Sequence, residues 1–156
     1  MLWRRRLQPI AQPIFRAYSR ISRGMTLGVR GVVLNPERQV LLVEHTYMHG
    51  WHLPGGGVER GETAEEALER ELVEEAGVQV IAPPTLVAVH ANHSNFRGDH
   101  VLLYRIEDWT QCEATSVGEI HEVRWCAPDA LPAGVTDLTR MRIEQAIATR
   151  RRREDR

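Results

Sequence analysis

Three features of the sequence predict an α/β (α+β) fold. Short, β-branched, alternating runs lie on both sides of one acidic helix with clear start and stop signals. A second helical pattern closes the chain, and no internal repeat or long linker divides it. The 156 residues suit one domain. A domain of this size buries roughly 68–70% of its unfolded surface, enough for a real core. With 42% hydrophobic and 26% charged residues, overall disorder is excluded. The two cysteines, Cys112 and Cys126, form neither a CxxC pair nor a disulfide framework. No run approaches the ~18 apolar residues of a membrane span.

The net charge of −1 is unevenly spread. Residues 1–36 hold seven Arg and no acid, residues 37–139 six Arg against 18 acids, and residues 140–156 seven Arg against three acids. An acidic centre thus lies between two basic ends. Such a centre repels phosphates unless cations neutralise it.

Residues 1–24 form a basic extension with a loose helical pattern of Trp3, Leu7, Ile10, Ile14, Phe15, Tyr18 and Ile21, interrupted by Pro9 and Pro13. The segment lacks the apolar h-region of a secretory signal, and a cytoplasmic location is expected. It reads as a helix packed on its own domain, with a targeting or peripheral membrane-surface role as the alternative. Residues 25–150 then form the main domain and 151–156 a basic tail. MTLGVRGVVL and QVLLVEH read as strands joined in a hairpin by Asn35-Pro36-Glu37-Arg38. WHLPGGGVERGE reads as a glycine-rich loop. QVIAPPTLVAVHA, broken at Pro83-Pro84, DHVLLYRIEDW and EIHEVRWCA read as further strands, and TDLTRMRIEQAIATRRRR as the C-terminal helix.

The central helix follows Thr63, which can cap it and form a capping box with Glu66; Gly77 can supply the left-handed terminator. At 100° per residue, Ala64, Ala67, Leu68, Leu72 and Ala76 make the apolar side. Glu71, Glu74 and Glu75 fall on an arc overlapping Ala64 and Ala67, whereas Glu65, Glu66 and Glu69 face away and read as solvated. Like charges at i,i+4 destabilise a helix, so three carboxylates on a half-buried face call for a hard divalent cation such as Mg²⁺. Arg70 stands beside Glu71 and one turn before Glu74, where it can orient the cluster. In Pro54-Gly55-Gly56-Gly57 the backbone can approach a ligand closely, and a bare carbonyl can join the metal ligands.

Gly56, five residues, Glu62, seven residues, then Arg70-Glu71-Leu72-Val73-Glu74-Glu75-Ala76-Gly77-Val78 resembles the Nudix box at every fixed position. The resemblance extends over roughly residues 25–150. It implies an α/β/α sandwich with a mixed sheet between helices, and an enzyme that hydrolyses the diphosphate linkage of a nucleoside diphosphate derivative. It implies that the Gly55 carbonyl, Glu71, Glu74 and Glu75 bind Mg²⁺, with Mn²⁺ as a substitute, and that Glu62 and Arg70 support them. Glu119, six residues before Trp125, matches the place of a further metal-ligating Glu, with Glu122 as a rival. Glu71 is the first choice for general base and Glu119 the second. His45 matches a basic phosphate contact, against an ordinary surface histidine; Trp51 is a packing residue or a base-stacking platform.

The substrate class is narrowed by departures from subfamily patterns. Where ADP-ribose pyrophosphatases carry a downstream proline, Ser94 stands here, and no tyrosine lies between His90 and Arg97 as in one class of dinucleoside polyphosphate hydrolases. Nucleoside triphosphates are favoured, with ADP-ribose or a nucleotide sugar as the alternative. A non-catalytic nucleotide-binding regulator is a rival, although such domains commonly lose the box acids retained here. No stable nucleic-acid partner is expected, and a monomer and a homodimer are both compatible with the sequence.

Overall fold

The computed structural model describes residues 24–116 and 118–154, those from 150 onward by backbone alone. The predicted N-terminal helix therefore lies, apart from Gly24, outside the described residues. The elements are β1 (Thr26–Val33), β2 (Val40–His45), β3 (Met48–His52), α1 (Ala64–Ala76), β4 (Val78–Val80), β5 (Thr85–Ala91), β6 (Asp99–Ile106), β7 (Trp109–Gln111), β8 (Ile120–Cys126) and α2 (Asp137–Glu154). Helix α2 runs on into the stretch read as a separate basic tail.

One three-stranded sheet has the order β1-β6-β5 and is mixed: β1 runs parallel to β6, and β5 antiparallel to it. A second, antiparallel sheet has the order β3-β2-β8, and β4 pairs with β7. The predicted hairpin of the first two strands does not form. A turn closes at Asn35–Arg38, but β1 and β2 share only the isolated Leu34–Val40 bridge. The turn signal reverses the chain without choosing strand partners, and β1 is captured by β6, with Thr26 opposite Asp99. The start of the predicted glycine-rich loop is also strand, since β3 pairs Trp51 with Glu44.

Strand alternation builds two cores on opposite faces of the sheets. Val29, Val33, Leu41, Val43, Tyr104 and Ile106 pack with Ala67, Leu68, Leu72 and Ala76 of α1. Val32, Leu34, Val40, Leu42 and Leu103 pack with Ile143 and Ala146 of α2. Strands thus lie between two helix layers. Gly31 sets the fit of α1: a Cβ there would lie 3.1 Å from Ile106 Cδ1, 3.2 Å from Leu68 Cδ1 and 3.3 Å from Leu72 Cδ2.

Helix α1 forms with its predicted punctuation. Glu66 N–H donates to Thr63 Oγ1 at 3.2 Å, and Thr63 N–H to Glu66 Oε2 at 2.7 Å. Gly77 closes the helix at φ 61°. Glu65 departs from the purely solvated reading, because its Oε1 accepts the Tyr104 hydroxyl at 2.8 Å.

Candidate active site

The glycine loop is laid along β1. Gly31 N–H donates to the Pro54 carbonyl at 2.9 Å and Val29 N–H to the Gly56 carbonyl at 2.8 Å. This alternation leaves the Gly55 carbonyl between them with no hydrogen bond among the described residues. Gly55 is required here: its φ is 143°, and a Cβ would overlap the Val29 carbonyl. At Gly56 a Cβ would run into the Glu71 carboxylate, so the bare backbone makes room for that side chain.

Two sets of bonds hold the box carboxylates. Arg70 is the hub of the first. Its Nε and Nη2 donate to the two oxygens of Glu62 at 3.2 and 2.9 Å, and Nη2 also reaches the Gly57 carbonyl at 3.1 Å. Its Nη1 donates to Glu71 at 2.8 Å and to Glu74 at 3.3 Å. Glu62 in turn accepts the Glu59 N–H at 2.7 Å. The Arg70 bond, with that N–H, holds the Glu62 carboxyl below its ordinary pKa, and the same bond raises Arg70 above its own. The second set centres on Glu75, which is 7% exposed. Its Oε1 lies 2.8 Å from His45 Nε2, and its Oε2 accepts the Gly55 N–H at 2.9 Å. His45 is itself buried, which corrects the reading of a surface histidine; its contact is a carboxylate of the box.

Burial pushes the Glu71 carboxyl above the usual carboxylate range. Glu75 and Glu74 push the same way, and the Arg70 bond opposes them. The three box glutamates are therefore electrostatically coupled, although Arg70 draws Glu71 and Glu74 one way and His45 draws Glu75 another. Among the described residues no three His, Cys, Asp or Glu side chains are already gathered as a metal cage. The donor set nonetheless fits a hard divalent cation: hard carboxylate oxygens, one destabilised by desolvation, beside an unused carbonyl.

Glu119 belongs to the loop leading into β8. Its carbonyl accepts Thr46 N–H at 2.9 Å, pinning the loop beside the end of β2, and its Oε2 accepts Ser116 Oγ at 2.9 Å. Partial desolvation raises the pKa of the largely exposed Tyr47, with Glu75 and Glu119 adding to the shift, so both carboxylates act on one phenol. Glu122, the rival, accepts two bonds from Arg124 at 2.6 and 3.0 Å. Trp51 is 5% exposed and belongs to the α2-side core, with the Arg124 guanidinium 4.5 Å from its ring centroid. A base-stacking platform is thus corrected to a packing residue, because β3 pairing turns the indole inward.

Beyond Gly56 opens a cleft of about 690 Å³ on the α2 side of β1. Arg30, Asn92, Asp99 and Arg142 supply its charged and polar walls, and Leu27, Val101 and Leu138 part of its apolar wall. None of these polar residues was singled out from the sequence. A signal existed for Arg142, which shares the stripe of Thr139, Ile143 and Ala146 on α2, where a charge is out of place. Asp99 and Asn92 come together only through the β5–β6 pairing and carry no local mark.

A family model described as NUDIX domain matches residues 24–149. The Bacillus subtilis (strain 168) protein named "Putative 8-oxo-dGTP diphosphatase" is 35% identical over 107 residues, 69% of this chain and 70% of the relative. A "MutT-like protein" of Streptomyces ambofaciens is 30% identical over 122 residues, 78% of this chain and 77% of the relative. The crystal structure of a MutT NUDIX hydrolase from Burkholderia pseudomallei aligns with TM-score 0.65 at 26% identity, covering 77% of this chain and 96% of that one. With its box, its sandwich and a family match spanning nearly the whole described region, the chain belongs to the Nudix hydrolase family.

Proposed function

We propose that this chain hydrolyses a diphosphate linkage in a nucleotide derivative, with a divalent cation held by Glu71, Glu74, Glu75 and the Gly55 carbonyl, and with Glu119 as a further ligand from its loop. Mg²⁺ is the preferred ion and Mn²⁺ its substitute. The observation that carries this reading is the half-buried Glu71 carboxylate, coupled to Glu74 and Glu75 and seated against the bare Gly55–Gly56 backbone. Such a cluster is costly in an empty protein and useful around a cation. Bound there, the ion offsets phosphate charge and acidifies water.

The residues of the chain do the rest. Glu71 accepts a proton from the attacking water. Glu119 is the second candidate for this role. The water oxygen forms a bond to one phosphorus while the bridging oxygen leaves with the other phosphate. Arg70 fixes Glu71 and Glu74 in place and spans back to Glu62, so the cluster keeps its orientation as charge moves. His45 and the Gly55 N–H do the same for Glu75.

Nucleoside triphosphates are the favoured substrates. The 8-oxo-dGTP named for the Bacillus subtilis relative is of that class, and Ser94 stands where ADP-ribose pyrophosphatases carry proline. A panel of nucleoside triphosphates, ADP-ribose, nucleotide sugars, dinucleoside polyphosphates and p-nitrophenyl phosphate tests this. Mg²⁺-dependent hydrolysis of diphosphate compounds, with the monoester inert, is expected. Dominant hydrolysis of the monoester, or full turnover in excess chelator, refutes it.

A further inference from the structure

The loop that carries Glu119 is anchored by the turn between β2 and β3. Thr46 and Tyr47 form a two-residue connection between the paired His45 and Met48. Connections of this length favour residues with positive φ, usually Asn-Gly, and neither Thr46 nor Tyr47 adopts one. The turn has an outside tie instead. Thr46 Oγ1 donates to the Gly118 carbonyl at 2.9 Å and reaches the Glu119 carbonyl at 3.3 Å. The Glu119 carbonyl also accepts the Thr46 N–H at 2.9 Å. One threonine thus grips two consecutive carbonyls, 72 and 73 positions further along the chain.

The grip lies where the strand ladder loses its register. β2 pairs evenly with β8 from Val40–Cys126 to Glu44–Glu122, but His45 then pairs with Ile120, so His121 is an extra residue on β8. A bulge of this kind bends its strand and re-aims the residues beyond it. The direction of Glu119 is therefore not dictated by the regular pairing. Two ties hold its loop to the rest of the domain, and each ends beside a box glutamate. Ser116 N–H donates to the Glu74 carbonyl at 3.0 Å, and Ser116 Oγ donates to Glu119 Oε2. Thr46 follows His45, the residue that holds Glu75. The Glu119 backbone is thus pinned between the two elements that carry and orient the acidic cluster.

We propose that Thr46 is a positioning residue, whose hydroxyl holds the Gly118–Glu119 backbone so that the Glu119 carboxylate can reach the ion held by the box glutamates. This rests on the reading of Glu119 as a further ligand in the proposed diphosphatase. Thr46 acts through the two carbonyls it binds. Losing the hydroxyl leaves the other ligands in place and one loosely held, so the demand for metal rises more than the rate at saturating metal falls.

Two measurements on the full chain test this. Thr46→Val keeps the branched shape and the backbone bond but removes the hydroxyl, and Thr46→Ser restores it. Without metal, amide hydrogen exchange over residues 116–121 should quicken in Thr46→Val and return towards the wild type in Thr46→Ser. Exchange in β6 should stay unchanged in both. In turnover of a nucleoside triphosphate, the Mg²⁺ concentration for half-maximal rate should rise about tenfold in Thr46→Val, with kcat at saturating Mg²⁺ changed little. Glu119→Gln should raise the same requirement, and adding Thr46→Val to it should raise it no further. Unchanged loop exchange in Thr46→Val overturns the inference. So does an unchanged Mg²⁺ requirement in that variant, or a rise that persists undiminished in the Glu119→Gln background. An unchanged requirement in Glu119→Gln itself overturns the inference together with the ligand role of Glu119, and leaves the diphosphatase reading standing. No Mg²⁺-dependent turnover in the wild type overturns the diphosphatase reading, and with it the part of Thr46 in metal binding, whatever the loop exchange shows.

Discussion

His45 and Glu75, thirty residues apart in the chain, share a buried contact of 2.8 Å between Nε2 and Oε1. The other oxygen of Glu75 takes the Gly55 N–H, so β2, α1 and the glycine loop are tied at one carboxylate. His45→Ala leaves that carboxylate buried with one partner fewer, at an expected cost of about 1–3 kcal/mol in stability. Metal affinity should fall on the order of 10–100-fold, as when an orienting neighbour of a ligand is lost. Urea unfolding and Mg²⁺ titration of the rate check both; an unchanged urea midpoint would contradict the tie.

Arg70 is expected to be irreplaceable by lysine. It reaches Glu62 with two nitrogens and Glu71 and Glu74 with a third, a span that needs the planar fork. Arg70→Lys and Arg70→Gln should both lower kcat/KM on the order of 10–100-fold. Steady-state kinetics with saturating Mg²⁺ decide it, and a lysine variant near wild-type rate would show that charge alone suffices.

Glu74→Gln should abolish turnover and leave the fold intact. Its ion pair with Arg70 is long, at 3.3 Å, and partly exposed, so little stability rests on it. Removing one of three neighbouring carboxylates relieves repulsion, and stability in chelator should stay level or rise. Thermal melts in EDTA alongside Mg²⁺ assays test the pair of outcomes; a large loss of melting temperature would assign Glu74 a structural role instead.

Tyr104→Phe should lower stability while leaving activity unchanged. The phenol is buried and donates to Glu65 at 2.8 Å. The bond is worth about 1 kcal/mol given the exposure of its acceptor. Burial raises the Tyr104 pKa, and the Glu65 bond adds to the shift. With the folded pKa above the unfolded value of about 10, this contribution is whole below pH 10 and is lost as pH rises beyond it. The wild type should therefore lose stability in alkali more steeply than the phenylalanine variant, and matched unfolding curves on either side of pH 10 measure the difference.

A chain starting at Met25 should keep its metal dependence. No box residue precedes that point, and the loop is held by Val29 and Gly31 of β1. Loss of Mg²⁺-dependent turnover in the shortened chain would give residues 1–24 a part in the site.

Local signals made α1 legible in the sequence: the Thr63–Glu66 box and Gly77 act within a few residues of where they are written. The acidic arc of Glu71, Glu74 and Glu75 follows from helical spacing alone. The partner of β1 was not legible, because Asn35-Pro36 dictates a reversal and says nothing of β6, 73 positions from Thr26 at the first paired residue. The contact of His45 with Glu75 was hidden for the same reason. Trp51 was ambiguous until β3 fixed which way its ring turns. Arg30 and Arg142 approach one another only once β1 and α2 stack, and no spacing in the chain encodes that.

Gly31 has a mechanical consequence for the enzyme. Where the helix that carries the three box glutamates crosses Gly31, β1 offers no side chain, and the three atoms nearest the missing methyl are all apolar. Alanine there would act as a shim, forcing Leu68, Leu72 or Ile106 to yield by a few tenths of an ångström. If α1 itself yields, Glu71 lifts from Gly56 while β1, which bears the glycine loop, stays put. The spacing between acidic side chains and loop is thus calibrated from beneath the helix, by an atom the protein leaves out.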